Sequence, residues 1–302
     1  MTHGLRAAMA DAYDRVYSDQ RRVWLDHAVV NVSVAGFLLH LLLVFLSRSL
    51  PNSPSLVAAV GTNYLAAIYT PFSFILFYEV LMLIAALPQS TTHSIAKQYE
   101  IVSLIFIRRF FKDIAQLDDI GKLAQLSPEM LPVFLDVGAG LFMFLLVTVF
   151  LHAGRRRHRA ETRPEEAVEL NKFISRKKAI ALALAVLLVA MAVYSLTLFV
   201  TEDSEAIYHR AKLSLDLNTL FYGDVFTVMI FTDVLIVILS LAVSDRYELV
   251  FRNAAFVIST ILIRFSLTTN RQYSALLAVT GMLFGIATLV IYKYHARVRA
   301  QE

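Results

Sequence analysis

Two carboxylates and three arginines stand inside stretches otherwise built of Leu, Val, Ile and Phe, and any chemistry this chain performs starts from them. Glu79 lies in the apolar run 72–87 and Asp233 in the run 226–241, while Arg108, Arg109 and Arg264 interrupt two further runs. An ionisable group in hydrocarbon is costly, so each must face protein or water rather than lipid. A carboxylate placed there can replace part of an ion's hydration shell, or take up a proton once desolvation disfavours its charged form. Arginines beside it hold the acids ionised or repel cations, and where they dominate a cavity the preference turns to anions. The structural alternative is that Glu79 simply pairs with Arg108 and locks two helices. Asp233 is the sharper candidate for transport. Its nearest matching arginine, Arg264, is displaced towards the outer interface, where its stem could snorkel.

At about 100° per residue, Lys97, Glu100, Arg108 and Lys112 share one helical face with Arg109 just beside it. Arg252, Asn253, Ser259, Thr260, Arg264 and Ser266 gather in the same way on another helix. The expected transport pathway therefore comprises Glu79, Asp233, Arg108, Arg109, Arg264 and Glu100. Asp136 is placed to pair with Arg109 on the adjoining helix, and His40 to hydrogen-bond a neighbouring span. His27, His152 and His295 fall at span ends.

Other chemistries lack their residues. With no cysteine in the chain, disulfides, Cys-ligated zinc, Fe–S clusters and thiol catalysis are excluded. HExxH, HxH and Glu-x-x-His spacings are missing, as are a P-loop, GxGxxG and GxSxG. No metal, no cofactor and no enzymatic activity is expected.

The elements that must position these groups follow from composition. Of 302 residues 58% are hydrophobic and 17% charged, and mean hydropathy is +0.62. A soluble enzyme or a disordered regulator needs far more polar residues. A transmembrane helix needs about 20 mostly apolar residues, which predicts spans at 25–45, 69–87, 95–114, 131–153, 179–200, 220–243, 249–267 and 273–293. The third and seventh carry internal charge, so six spans with two surface helices is the competing layout. The 28 Lys and Arg concentrate in the N-terminal segment, the loop 154–178, the 246–252 region and the tail. By the positive-inside rule those lie in the cytoplasm, with both termini. The net charge of +4 is read in this way and not as a nucleic-acid signal.

The first 24 residues form an amphipathic cytoplasmic helix, with neither a secretory signal nor an acid-poor presequence. An unprocessed bacterial inner-membrane protein is the resulting expectation. The stretch 56–70 abuts Pro71, which predicts a kinked helix or a half-helix entering the outer leaflet. Its Val60-Gly61-Thr62-Asn63-Tyr64 shares Gly and Thr content with carbonyl-lined filter loops. The counterpart 202–218 is polar and reads as an external helix or loop.

An internal repeat organises the rest. Residues 72–87 align with 226–241, matching Phe72, Phe77, Val80, Leu81, Ile84 and Leu87 to identical residues and Glu79 to Asp233. With one residue inserted, Ile107-Arg108-Arg109-Phe110 meets Leu262-Ile263-Arg264-Phe265, and His152-Ala153-Gly154-Arg155-Arg156 meets His295-Ala296-Arg297-Val298-Arg299. The fold class is thus all-α: two parallel four-helix units, 25–153 and 179–293, joined by the basic linker 154–178 and closed by the tail 294–302. Spans two, three, six and seven form the inner group, with the apolar spans outside.

Passage of a cation, a proton or a small solute between the two units is the expected function. A voltage sensor is excluded because the fourth spans carry no arginine ladder. The alternative is a membrane scaffold or accessory subunit whose basic loop recruits a partner or anionic lipid. The expected partners are the lipid bilayer and a second copy or a membrane-complex subunit.

Overall fold

The computed structural model describes residues 2–49, 57, 60, 62–116, 131–154, 164–208, 217–241 and 247–299. These form α1 (Thr2–Val16), α2 (Asp19–Ser49), α3 (Ala66–Ala86), α4 (Thr91–Ala115), α5 (Leu131–Gly154), α6 (Pro164–Tyr208), α7 (Leu217–Leu241), α8 (Tyr247–Thr268) and α9 (Arg271–Arg299). No strand occurs among the described residues. Seven helices, all but α1 and α4, are long and apolar enough to cross a membrane.

The outward faces agree with that length. Leu38, Leu42 and Phe45 of α2, Leu141 and Leu145 of α5, Val186 of α6 and Leu276 and Val290 of α9 are all exposed. A surface so greasy on every side is not tolerable in water. In lipid it carries no penalty, because hydrocarbon solvates it as well as a core does. The chain is a polytopic helical membrane protein.

Tertiary contacts fix which helix ends lie together. At the N-terminal face Tyr13 Oη donates to Ala85 O at 2.5 Å, Lys178 Nζ pairs with Asp14 at 2.6 Å, and Lys177 Nζ donates to Gln89 O at 2.8 Å. Lys293 Nζ also donates to Ala153 O there. At the opposite face Arg271, the first residue of α9, meets Asp113 near the end of α4 and Asp136 near the start of α5. The amphipathic N-terminal helix is therefore docked on the bundle. Burial against α3 and α6 pushes the Tyr17 phenol up to about 12 and the neighbouring Tyr13 phenol higher still, so both remain neutral.

Helix α4 departs from the apolar pattern because its surroundings are protein. Its 25 residues rise about 37 Å, and it carries Lys97, Glu100, Arg108, Arg109, Lys112 and Asp113. Ser90 caps it, its hydroxyl accepting from His93 N at 3.3 Å, after the turn that closes α3. Tyr99 and Phe106 on α4 are fully buried, packed with Met143 and Phe150 of α5, Phe256 of α8 and Met282 of α9. A helix whose polar face meets neighbouring helices does not need a lipid-compatible surface on that face.

Two boundaries differ from expectation. Helix α6 begins at Pro164, so residues 164–178 of the basic linker are helical and continuous with the span that follows. Helix α3 begins at Ala66, after a turn in which Leu65 N donates to Asn63 Oδ1 at 2.9 Å, and Pro71 lies inside it. Most of 56–61, including Gly61, lies outside the described residues, as does part of 202–218. The inner grouping also needs amendment. Helix α4 exposes Leu104 alone among its large apolar residues, but α7 turns Phe231, Leu235 and Ile238 outwards and so serves both lipid and interior.

Candidate functional site

Both intramembrane acids are paired. Glu79 on α3 meets Arg108 Nη2 on α4 at 2.5 Å, and Arg108 Nη1 also donates to Phe72 O at 3.2 Å. Asp233 on α7 meets Arg264 Nη2 on α8 at 2.7 Å, with Thr260 Oγ1 donating to the same carboxylate oxygen at 3.2 Å. Asp233 is 6% exposed and Arg264 4%. The expectation that Arg264 snorkels away from Asp233 is corrected. Helical side chains tilt back towards their own N-terminus, so an arginine past the middle of α8 reaches down to the level of an acid on the antiparallel α7.

The two pairs also revise the register of the α4–α8 comparison. Pairing sets Arg108, not Arg109, against Arg264. The shift brings Ser103 and Ile107 opposite Ser259 and Ile263, residues that approach Gly140 of α5 and Gly281 of α9 respectively. Arg109 is then the additional arginine of α4. One residue on from Arg108 it is turned about 100° around the helix, away from Glu79. Its Nη1 donates to Ser274 Oγ of α9 at 2.8 Å, and its guanidinium lies 4.2 Å from the Phe106 ring centroid. Among the described residues no carboxylate comes within ion-pair distance of it.

Asp136 was expected to pair directly with Arg109; its direct ion pair is with Arg271, and its charge acts on Arg109 at longer range. Its oxygen accepts from Arg271 Nε at 3.0 Å and Nη2 at 2.9 Å, and the same guanidinium takes Asp113 at 2.6 Å. Arg271 reaches α4 and α5 because α9 packs on α5, a contact between the two halves of the chain. The remaining candidate, Glu100, pairs with Lys97 on its own helix at 2.7 Å, part-exposed and apart from the central pairs. His40 Nδ1 meets Thr70 Oγ1 on the next helix at 2.5 Å, the hydrogen bond expected of it.

A seam of polar contacts joins the halves along α4. Arg264 Nη2 also donates to Gln98 Oε1 at 3.0 Å, and Tyr99 Oη lies 2.6 Å from Ser259 Oγ, which donates to Gly281 O. Of these residues Ser259 belongs to the polar stripe read from the sequence, whereas Gln98, Tyr99, Ser274 and Arg271 were not singled out there. A buried Gln, Ser or Tyr acquires its meaning only from the helix opposite, and single-helix periodicity says nothing of that.

Two cavities flank this seam. The larger, about 360 Å³, lies towards the opposite face between α3, α4, α7 and α8. Tyr69, Phe72 and Leu76 of α3 and Gly223 and Phe226 of α7 form its walls, and Arg108, Arg109 and Lys112 of α4 reach it. Among the described residues no carboxylate lines it. The smaller, about 40 Å³, lies nearer the N-terminal face and is bordered by Gln98, Lys177, Asp233, Ser240 and Asn253. That is room for a water or two. Between them, Ile101 of α4 and Met229 of α7 are fully packed. Arg264 Nη1 is buried at this level with no hydrogen-bond partner among the described residues.

No three His, Asp or Glu among the described residues come together as a metal site. Comparison with family models, with curated proteins and with solved structures found no match to this chain.

Proposed function

We propose that the protein moves a small solute or ion across the membrane along a path between two related four-helix units, α2–α5 and α6–α9. The observation that carries this reading is the cavity between α3–α4 and α7–α8, into which three basic side chains project. A scaffold has no use for such a space, since unfilled volume in a packed bundle costs stability. A conduit requires it. The closed stretch at Ile101, Met229 and the Asp233–Arg264–Gln98 link supports a gated transporter in preference to an open pore.

The repeat reading is supported by Glu79–Arg108 and Asp233–Arg264 recurring on the same helix pairs, and by Gly140 and Gly281 meeting equivalent residues. With α4 running between the same two faces as its neighbours, the bundle crosses eight times with both termini on one side. The basic residues make that side the cytoplasm, and a bacterial inner membrane is the proposed setting. Each carboxylate is neutralised by an arginine, so conduction of bare cations is less well supported than passage of a small solute. The carboxylates then serve to hold the arginines charged and oriented.

Gly223 provides the test. It lines the cavity, and a Cβ built there meets nothing within 4 Å, so Gly223→Phe fills the space without displacing the wall. In proteoliposomes, solute-driven swelling and currents with potassium, sodium, protons and small organic acids should appear for the wild type. Flux should fall at least several-fold in Gly223→Phe while the melting temperature stays unchanged. Wild-type vesicles silent to every solute would sink the proposal and favour the scaffold.

A further inference from the structure

We infer that the larger cavity is a binding site for a small molecule without net charge, an aromatic body bearing a carbonyl oxygen. The inference rests on the proposed conduit and names what it takes. Charge balance decides the charge of the ligand, because the bases on the cavity wall are answered from within the protein. Arg108 is committed to Glu79 and the Phe72 carbonyl. Arg109 belongs with Arg271 to a cluster in which the two bases stand against two acids, Asp113 and Asp136. Lys112 is engaged as well. An ion entering this space would leave water and find no opposite charge unclaimed, which is strongly unfavourable in a low-dielectric bundle. A neutral molecule meets no such penalty, and hydrogen bonds remain open to it. Of the five N–H donors on a guanidinium, Arg108 directs Nη1 at Phe72 O and Nη2 at Glu79, and Arg109 directs Nη1 at Ser274 Oγ. Donors are left for a neutral oxygen.

The walls define the rest of the ligand. Tyr69, Phe72, Leu76, Ile105, Phe226 and Leu267 are aromatic or aliphatic, so they favour an apolar body and offer few partners to a sugar or a polyol. Three of these six are rings, and Phe72 is held in place by stacking on Phe111 with centroids 4.3 Å apart. A wall of fixed aromatic faces suits another ring better than a flexible chain. A dry cavity of about 150 Å³ accepts benzene; this one, about 360 Å³, has room for a two-ring molecule with a polar head. At Gly223 the α7 wall is bare backbone, and an added Cβ meets nothing within 4 Å. The space is thus unfilled by the side chains around it.

Three photoreactive benzophenones of one shape serve as probes: para-benzoylbenzamide, para-benzoylbenzoate and para-benzoylbenzylammonium. Each is photolysed with the full chain in phosphatidylcholine liposomes, and the labelled residues are mapped by peptide mass spectrometry. The amide should label the cavity walls of α3, α7 and α8 saturably. The carboxylate and the ammonium should label them less by about tenfold or more, the penalty for burying one unanswered charge. Excess benzamide should displace the amide probe. Ethylbenzene, at equal concentration in the bilayer, should do so more weakly by about tenfold, the worth of a hydrogen bond from a charged donor. Gly223→Phe should remove the cavity label and leave the melting temperature unchanged. Carboxylate or ammonium labelling equal to that of the amide would overturn the inference. So would amide label confined to lipid-facing positions such as Leu141 and Val186, or cavity label that survives Gly223→Phe. Cavity label that appears in maltoside micelles and vanishes in phosphatidylcholine would assign the space to lipid acyl chains and overturn the small-molecule assignment. Saturable amide labelling of a protein that moves no solute in the flux assay would leave the site standing and remove the conduit reading.

Discussion

An arginine and a carboxylate buried in a membrane bundle are coupled more tightly than either is to the fold. Asp233 and Arg264 lie 2.7 Å apart and almost wholly out of contact with the surroundings, with Thr260 and Gln98 completing the hydrogen bonds. Removing one partner leaves a naked charge or an unfilled donor, at about 3–5 kcal/mol. Removing both and filling the space with hydrocarbon costs much less. Asp233→Asn and Arg264→Met should therefore each lower the unfolding midpoint in detergent severely. Asp233→Leu combined with Arg264→Met should be milder than either, giving a large favourable coupling in a double-mutant cycle. Additive losses would show that the pair is not a unit. Arg109 behaves differently, because its direct contacts are a hydroxyl and a ring while Asp136 and Asp113 act on it at longer range. Its replacement should lower the unfolding midpoint less than loss of either member of a direct pair, which separates the two kinds of intramembrane arginine.

Where helices meet, the controlling feature is how closely backbones approach. Helix α9 lies against α4 and α8 at Gly285, where an added Cβ would fall 1.7 Å from Tyr99 Oη and 2.9 Å from Ser259 Oγ. Tyr99 is fully buried and bonded to Ser259, so it has no free space into which to withdraw. Gly285→Ala should destabilise the protein by about 1–3 kcal/mol through overpacking, read as a lower midpoint in detergent, and Gly138→Ala, with nothing within 4 Å, should have little effect. Equal behaviour of the two would mean that the α4–α8–α9 contact is looser than described. The same element shows how far periodicity can be trusted. The polar stripe on α4 was legible from Lys97, Arg108 and Lys112. What it faces was not, because Gln98, Tyr99 and Arg109 turn towards helices that lie more than 150 residues further along the chain.

Seen as a whole, the molecule is an apolar shell around a polar seam, and the shell imposes the topology. The chain contains no cysteine, so single introduced thiols report sidedness cleanly. Gln89, in the turn between α3 and α4, and Asn270, between α8 and α9, are both exposed at opposite ends of the bundle. Gln89→Cys should react with a membrane-impermeant maleimide only after spheroplasts are opened, and Asn270→Cys in intact ones. Labelling of both from one side would remove α4 or a neighbour from the set of crossings.

Much of this architecture was determined by the chain alone. Long apolar runs interrupted by a few charges dictate helices in lipid, since only a helix satisfies its own backbone there. Their spacing places Glu79 and Asp233 deep within them. What only the tertiary structure decided is which charge answers which. The stem of an arginine is long, so two candidates within a helical turn of the right depth look alike along a sequence. Packing across the seam gives Arg108 to Glu79, Arg264 to Asp233 and Arg271 to Asp136, and leaves Arg109 turned to the cavity. Partner choice is a property of helices brought side by side, and depth along one helix cannot supply it.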